Sequence, residues 1–165
     1  AMQSVVEELD RPGARIYAGC TELLVALAAR RRWTGTVREL VDIKRLESMH
    51  GIVDLGDSLR VGAAVTAAAL AASRLARRVA PALAEAAAAT SSPALRRRGT
   101  VGGNIVTPHP AGDVATALLV LGASVEIAEE DGPREIPLAE LMTPRARAWP
   151  RTGSGKSSPR SAARR

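Results

Sequence analysis

Two short glycine-bearing stretches hold the residues best suited to chemistry in this 165-residue chain. The first is Tyr17-Ala18-Gly19-Cys20-Thr21-Glu22, set between an apolar run and a helical pattern. The second is Gly99-Thr100-Val101-Gly102-Gly103-Asn104, followed closely by Pro110-Ala111-Gly112-Asp113. Glycine in such turns lets the backbone approach a ligand and aim N–H groups at it. Successive N–H groups near a helix N-terminus form a concavity for anions. The hydroxyls of Thr21, Thr100 and Thr107 add donors, and Asn104 and Asp113 offer an amide and a carboxylate suited to sugar hydroxyls. A pyrophosphate held this way needs no lysine, because each charge-assisted bond gives about 1.5–3 kcal/mol. A glycine turn between strand and helix is also a common plain connector, so the residues alone leave both readings open.

Other chemistry is weaker. Gly153-Ser154-Gly155-Lys156-Ser157 imitates a phosphate-binding P-loop, but Pro150 stands where that motif needs glycine and no strand precedes it. Cys20 with His50 or His109 makes no triad. One cysteine rules out a disulfide framework and a zinc ribbon, and two histidines leave little material for a metal site. His109, between two prolines, reads as a loop residue. The Arg96-Arg97-Arg98 run reads as a helix end complementing the dipole, with docking to a partner or to a phosphate as the alternative.

The elements that must carry these turns are legible in outline. Residues 4–9 read as the end of a helix stopped by Pro12-Gly13, and 14–18 as a strand. Thr21 is the expected cap of a helix to residue 29, and 40–43 a second strand. Residues 51–55 and 59–64 predict a hairpin around Gly56-Asp57-Ser58. Thr66 caps an alanine-rich helix, Pro81 opens another, and Ser92-Pro93 caps one more turn. Asp113 is the expected cap of a helix to residue 121. A second hairpin follows around Asp131-Gly132-Pro133. Strands and helices mix without strict alternation, which predicts an α+β (mixed α/β) fold.

Hydrophobic residues make up 46% of the chain without one Phe, so the core must be built from Ala, Val, Leu and Ile. The net charge of +6 belongs to the C-terminal end. Residues 144–165 hold seven basic residues and no acid, leaving 16 basic against 17 acidic elsewhere. A nucleic-acid footprint should lie on the folded body, and three scattered aromatics make no stacking platform, so nucleic acid is not an expected partner. Residues 144–165 are expected to be a disordered basic tail, lacking any apolar period. No apolar run reaches the ~18 residues of a membrane span. Glu7, Glu8 and Asp10 argue against a signal peptide, so a cytoplasmic location is expected.

The motifs resemble a family. Ala18-Gly19-Cys20-Thr21-Glu22-Leu23-Leu24 resembles the A-G-G-T-D-L-L loop of molybdenum-hydroxylase flavin subunits. Arg98-Gly99-Thr100-Val101-Gly102-Gly103-Asn104 resembles their R-G-T-I-G-G-N segment, and Pro110-Ala111-Gly112-Asp113 their P-A-G-D. Val41-Asp42-Ile43, and Val61-Gly62-Ala63 with Val65-Thr66, fall in the family's order. Cys20 replaces a common Gly, Glu22 a common Asp, and His109 a common Ser. The family includes the xanthine dehydrogenase flavin region and the medium subunit of aerobic carbon monoxide dehydrogenase.

The resemblance implies a PCMH-type FAD-binding fold of the vanillyl-alcohol-oxidase kind, with two subdomains gripping FAD, incomplete here at both ends. Its expected divisions are 1–57, 58–143 and the tail 144–165. It implies FAD contacts at Ile16, Ala18, Gly19, Cys20, Thr21 and Glu22, and at Thr100, Gly103, Asn104, Thr107, Gly112 and Asp113. It implies no catalytic side chain in this chain. Its implied partners are a large subunit with molybdenum cofactor and a small iron–sulfur subunit, with electrons passing through FAD to an external acceptor. The other readings are a stand-alone flavin oxidase, and a non-catalytic truncated remnant or interaction protein with a basic tail.

Overall fold

The computed structural model describes residues 2–30, 35–107, 112–142 and 158–164. Helix α1 (Met2–Leu9) leads into β1 (Ala14–Tyr17), α2 (Leu23–Ala28) and β2 (Glu39–Asp42). Strands β1 and β2 run parallel, with Ala14 opposite Glu39 and Tyr17 opposite Asp42. Parallel neighbours need a crossover rather than a tight turn, and α2 lies within it. Val5, Ala14, Val41 and Ile43 bury a small core, with Leu9, Ile16 and Ala18 packed against it.

The second sheet is antiparallel, in the order β3 (Ile52–Asp54), β4 (Ser58–Val61), β7 (Ser158–Arg164), β5 (Ser124–Glu129) and β6 (Gly132–Pro137). Both predicted hairpins form. In the first, the Leu55 N–H donates to the Ser58 carbonyl, and Asp54 Oδ1 accepts from the Gly56 N–H at 3.0 Å. Ile52 packs on the main core. The division expected at 57/58 therefore falls inside a hairpin, and β3 belongs with the second unit.

That core lies between the second sheet and α3 (Ala67–Ala72), α4 (Arg74–Val79), α5 (Pro81–Ala89), α7 (Val101–Val106), α8 (Asp113–Val120) and α9 (Leu138–Leu141), with the single turn α6 (Pro93–Arg96) between α5 and α7. Leu70, Leu83 and Leu118 are fully buried, interleaved with Ala76, Ala84 and Ala87. Small residues at helix contacts let the axes approach closely, which compensates for the absence of large aromatic fillers. The caps follow local chemistry. Thr66 accepts from the Ala69 N–H at 3.1 Å, and Ser92 from Leu95 at 3.4 Å. Ser73 also caps, accepting from Ala76 at 3.1 Å, and so divides the alanine-rich stretch into α3 and α4.

Three expectations are corrected. Thr21 does not cap α2, whose cap position is Glu22 with no side-chain bond. Gly112 occupies the cap of α8, and Asp113 is its first residue. Residues 158–164 of the expected disordered tail form strand β7, paired with β4 and β5. Backbone pairing needs no apolar period; it needs only two strand edges with unpaired groups, which β4 and β5 present. Pro159 pairs with Ile127 of β5 alone, because β4 pairs only from Ser161 onward, so its missing N–H faces no second strand.

Candidate functional site

The first turn leaves β1 at the carboxyl end of the parallel pair, the end where open α/β sheets bind ligands. It is sharp. Cys20 takes φ +58, a left-handed conformation that favours glycine, and its carbonyl accepts from Leu24 at 3.2 Å. Gly19 is required for packing. A β-carbon there would lie 2.1 Å from the Arg98 carbonyl oxygen and 3.2 Å from the Gly99 Cα. The two glycine stretches, 79 residues apart in sequence, are thus in backbone contact. Arg98 Nε donates a long 3.4 Å bond to the Gly19 carbonyl. A β-carbon on Gly99 would lie 3.9 Å from Thr21 Oγ1, so that hydroxyl also sits beside the second stretch.

The second stretch is a helix start, which residues so rich in glycine did not announce. Thr100 caps α7, its hydroxyl accepting from Gly103 at 3.2 Å. The Val101 N–H donates to the Val65 carbonyl and the Gly102 N–H to Ala63, both at 2.9 Å; Ala67 donates back to Gly99 at 2.9 Å. A β-carbon on Gly102 would lie 2.9 Å from Ala63 Cβ. The Val61-Gly62-Ala63 and Val65-Thr66 segment is therefore the mate that holds this stretch. Asn104 Oδ1 accepts from the Ala115 N–H at 2.9 Å, tying α7 to α8.

The first turn contrasts with this. Among the described residues, no hydrogen bond engages the N–H of Gly19, Cys20 or Thr21. Two cations flank it. Arg98 approaches from the second stretch. Lys44, just past β2, places Nζ 3.5 Å from the centre of the Tyr17 ring and 3.0 Å from Asp42 Oδ2. Burial pushes the Cys20 thiol above its ordinary range, against the pull of the Ala18 backbone, Lys44 and Arg98. Asp42 is held below the usual carboxylate range, first by the Lys44 backbone N–H and then by its ammonium.

The structure packs Gly19 against Arg98 and Gly99 and sets Thr21 beside Gly99; Cys20 and Glu22 flank them in the first turn, and Thr100 and Gly103 follow in the second stretch. Ile16 and Ala18 pack their side chains against the small core. Thr107 ends α7, and Gly112 and Asp113 begin α8. Pro108, His109, Pro110 and Ala111, and the P-loop look-alike, lie outside the described residues. Lys44 was not singled out in the sequence, and Tyr17 only as the residue that opens the first stretch. The signal available was their position at the ends of the two parallel strands. Arg96 is structural, donating to the carbonyls of Thr90 and Ser91 beyond the end of α5. Among the described residues no group of three or more His, Cys, Asp or Glu could hold a metal ion, and no helix is long and apolar enough to cross a membrane.

A parallel strand pair ending in a turn with open donors, packed against a second glycine stretch, is an arrangement suited to an anion, set in a mixed α/β fold. Residues 1–151 match the FAD binding domain in molybdopterin dehydrogenase, and the chain belongs to that family. It is 31% identical over 133 residues to the nicotinate dehydrogenase FAD-subunit of Eubacterium barkeri, covering 81% of this chain and 44% of that one. It is 34% identical over 129 residues to the 6-hydroxypseudooxynicotine dehydrogenase complex subunit alpha of Paenarthrobacter nicotinovorans, covering 78% and 43%. The chain thus spans less than half the length of these curated relatives. Among solved structures, quinoline 2-oxidoreductase from Pseudomonas putida 86 matches with a TM-score of 0.82 and 26% identity, over 99% of this chain and 56% of that one. CO dehydrogenase from Oligotropha carboxidovorans shares the fold at a TM-score of 0.88, with 24% identity over 99% of this chain and 56% of that one.

Proposed function

We propose that this chain is the FAD-holding part of a cytoplasmic molybdenum hydroxylase. In this reading electrons leave a molybdenum cofactor on a large subunit, cross iron–sulfur clusters on a small one, and exit through FAD to an external acceptor. The observation that carries the reading is the first turn, where three successive N–H groups stay open although the glycine beneath them is packed against Arg98. Such donors fit a diphosphate, and the family is an FAD-binding one.

The N–H groups of Gly19, Cys20 and Thr21, with the Thr21 hydroxyl, would hold the diphosphate. Ile16 and Ala18 would contribute through backbone alone, since their side chains serve the core. Glu22, Asn104 and Asp113 would meet sugar hydroxyls, with Thr100, Gly103, Thr107 and Gly112 shaping the opposing wall. Bound FAD supplies the redox chemistry; the chain's own residues bind and orient it and exclude water.

Two measurements test this. The purified chain should show a flavin absorption spectrum, and the nucleotide released on denaturation should be FAD. FMN, or no flavin after incubation with excess FAD, overturns the reading. Coexpression should recover iron–sulfur and molybdenum subunits with the chain. Turnover of an aldehyde or purine by the chain alone, without molybdenum, would point instead to a stand-alone oxidase.

A further inference from the structure

We propose that Lys44, held by Tyr17 and Asp42, is the cation that selects the diphosphate-bearing part of FAD at the first turn. The proposal rests on the reading of that turn as the diphosphate site. Its basis is placement. The Ile43 N–H donates to the Tyr17 carbonyl at 3.1 Å, which brings the end of β2 alongside the residue that opens the turn. Lys44 then folds back, its ammonium 3.5 Å from the Tyr17 ring centre. An ammonium over an aromatic face is attracted by the ring's quadrupole, so Tyr17 gives a flexible side chain a preferred seat. The Lys44 carbonyl is engaged by His50 Nε2 at 2.8 Å, which fixes the backbone from the other side.

Asp42 opposes part of the charge, with one oxygen 2.9 Å from the Lys44 N–H and the other 3.0 Å from Nζ. The pair does not cancel at the turn. At the Cys20 thiol the pull of Lys44 exceeds the opposing push of Asp42, and Arg98 adds to it. Lys44 and Arg98 thus bring two cations, against the one Asp42 carboxylate, to the side of the turn. Arg98 Nε reaches the Gly19 carbonyl at 3.4 Å, which ties that side chain to the contact between the turns. Lys44 is the cation whose partners are a ring face and an exposed carboxylate, so an arriving dianion can recruit it without breaking the contact between the turns. Exposed charges of this kind act over a distance of about 10 Å and weaken with salt.

The test compares FAD, ADP and riboflavin binding to the full chain by calorimetry at low and high salt. In Lys44→Gln, FAD and ADP should bind about two- to fivefold more weakly, with a flatter salt dependence and unchanged riboflavin binding. Lys44→Arg should restore both. Unchanged FAD and ADP affinity in Lys44→Gln, while Thr21→Val weakens both, overturns the proposal and leaves the turn as the diphosphate site. An equal loss for riboflavin also overturns it, because riboflavin carries no phosphate. If Thr21→Val and a folded Gly19→Val both keep wild-type FAD and ADP affinity, the diphosphate reading itself fails.

Discussion

The two glycine stretches look alike as sequence and do opposite work. In residues 17–22 the glycine is packed and the N–H groups stay open. In residues 99–104 the N–H groups of Val101, Gly102 and Gly103 are consumed by Val65, Ala63 and Thr100, and the glycines admit neighbouring segments. In the proposed function the first is the ligand cradle and the second its buttress. A glycine-rich motif therefore does not by itself announce an anion site. What decides is whether another part of the chain already takes the donors.

The largest expected effect comes from breaking the contact between the two. Gly19→Val puts a β-carbon 2.1 Å from a backbone oxygen that cannot yield without moving the Arg98–Gly99 segment. Overpacking of this kind costs about 1–3 kcal/mol. The variant should lose flavin and melt lower, read by absorption and by calorimetry. Asn104→Ala should come next. It leaves the Ala115 N–H without its acceptor and releases α7 from α8, costing about 1–2 kcal/mol, seen in urea denaturation.

The paired threonines sharpen the contrast. Thr100→Val removes the cap of α7 and should cost about 1 kcal/mol of stability. Its FAD affinity, measured on folded protein, should fall less than that of Thr21→Val, because the Thr100 hydroxyl already serves the Gly103 N–H. Thr21→Val should do the reverse, leaving stability within about 0.5 kcal/mol and weakening FAD about five- to tenfold. Equal behaviour of the two variants in both assays would erase the distinction between cradle and buttress.

The smallest effect concerns Cys20. Its thiol pKa is raised in the folded state by burial, so the fold favours the protonated form. That contribution is present below the unfolded thiol's value of about 8.5 and is lost as pH rises through the folded one. Iodoacetamide should accordingly react more slowly with native than with unfolded chain at pH 8. Cys20→Gly should remove this alkaline dependence. It should also relieve the φ +58 strain, by about 1 kcal/mol before the added chain entropy of glycine offsets it.

The chain's own residues determined much of this locally. Thr66, Ser92, Pro81 and the two hairpin turns act where the sequence puts them, because a cap or turn is settled among residues three or four apart. The family motifs at 18–24 and 98–104 were equally legible. Tertiary structure decided the rest. The first turn of helix α7 includes Gly102 and Gly103, poor helix formers, and is held by Thr100 and by the distant carbonyls of Val65 and Ala63. Strand β7 lies in a segment without apolar period, because its pairing depends on the edges of β4 and β5. Which glycine stretch kept its donors open was also undecidable from the motifs. An N–H group finds its partner, or keeps none, according to segments that only folding brings within hydrogen-bond reach.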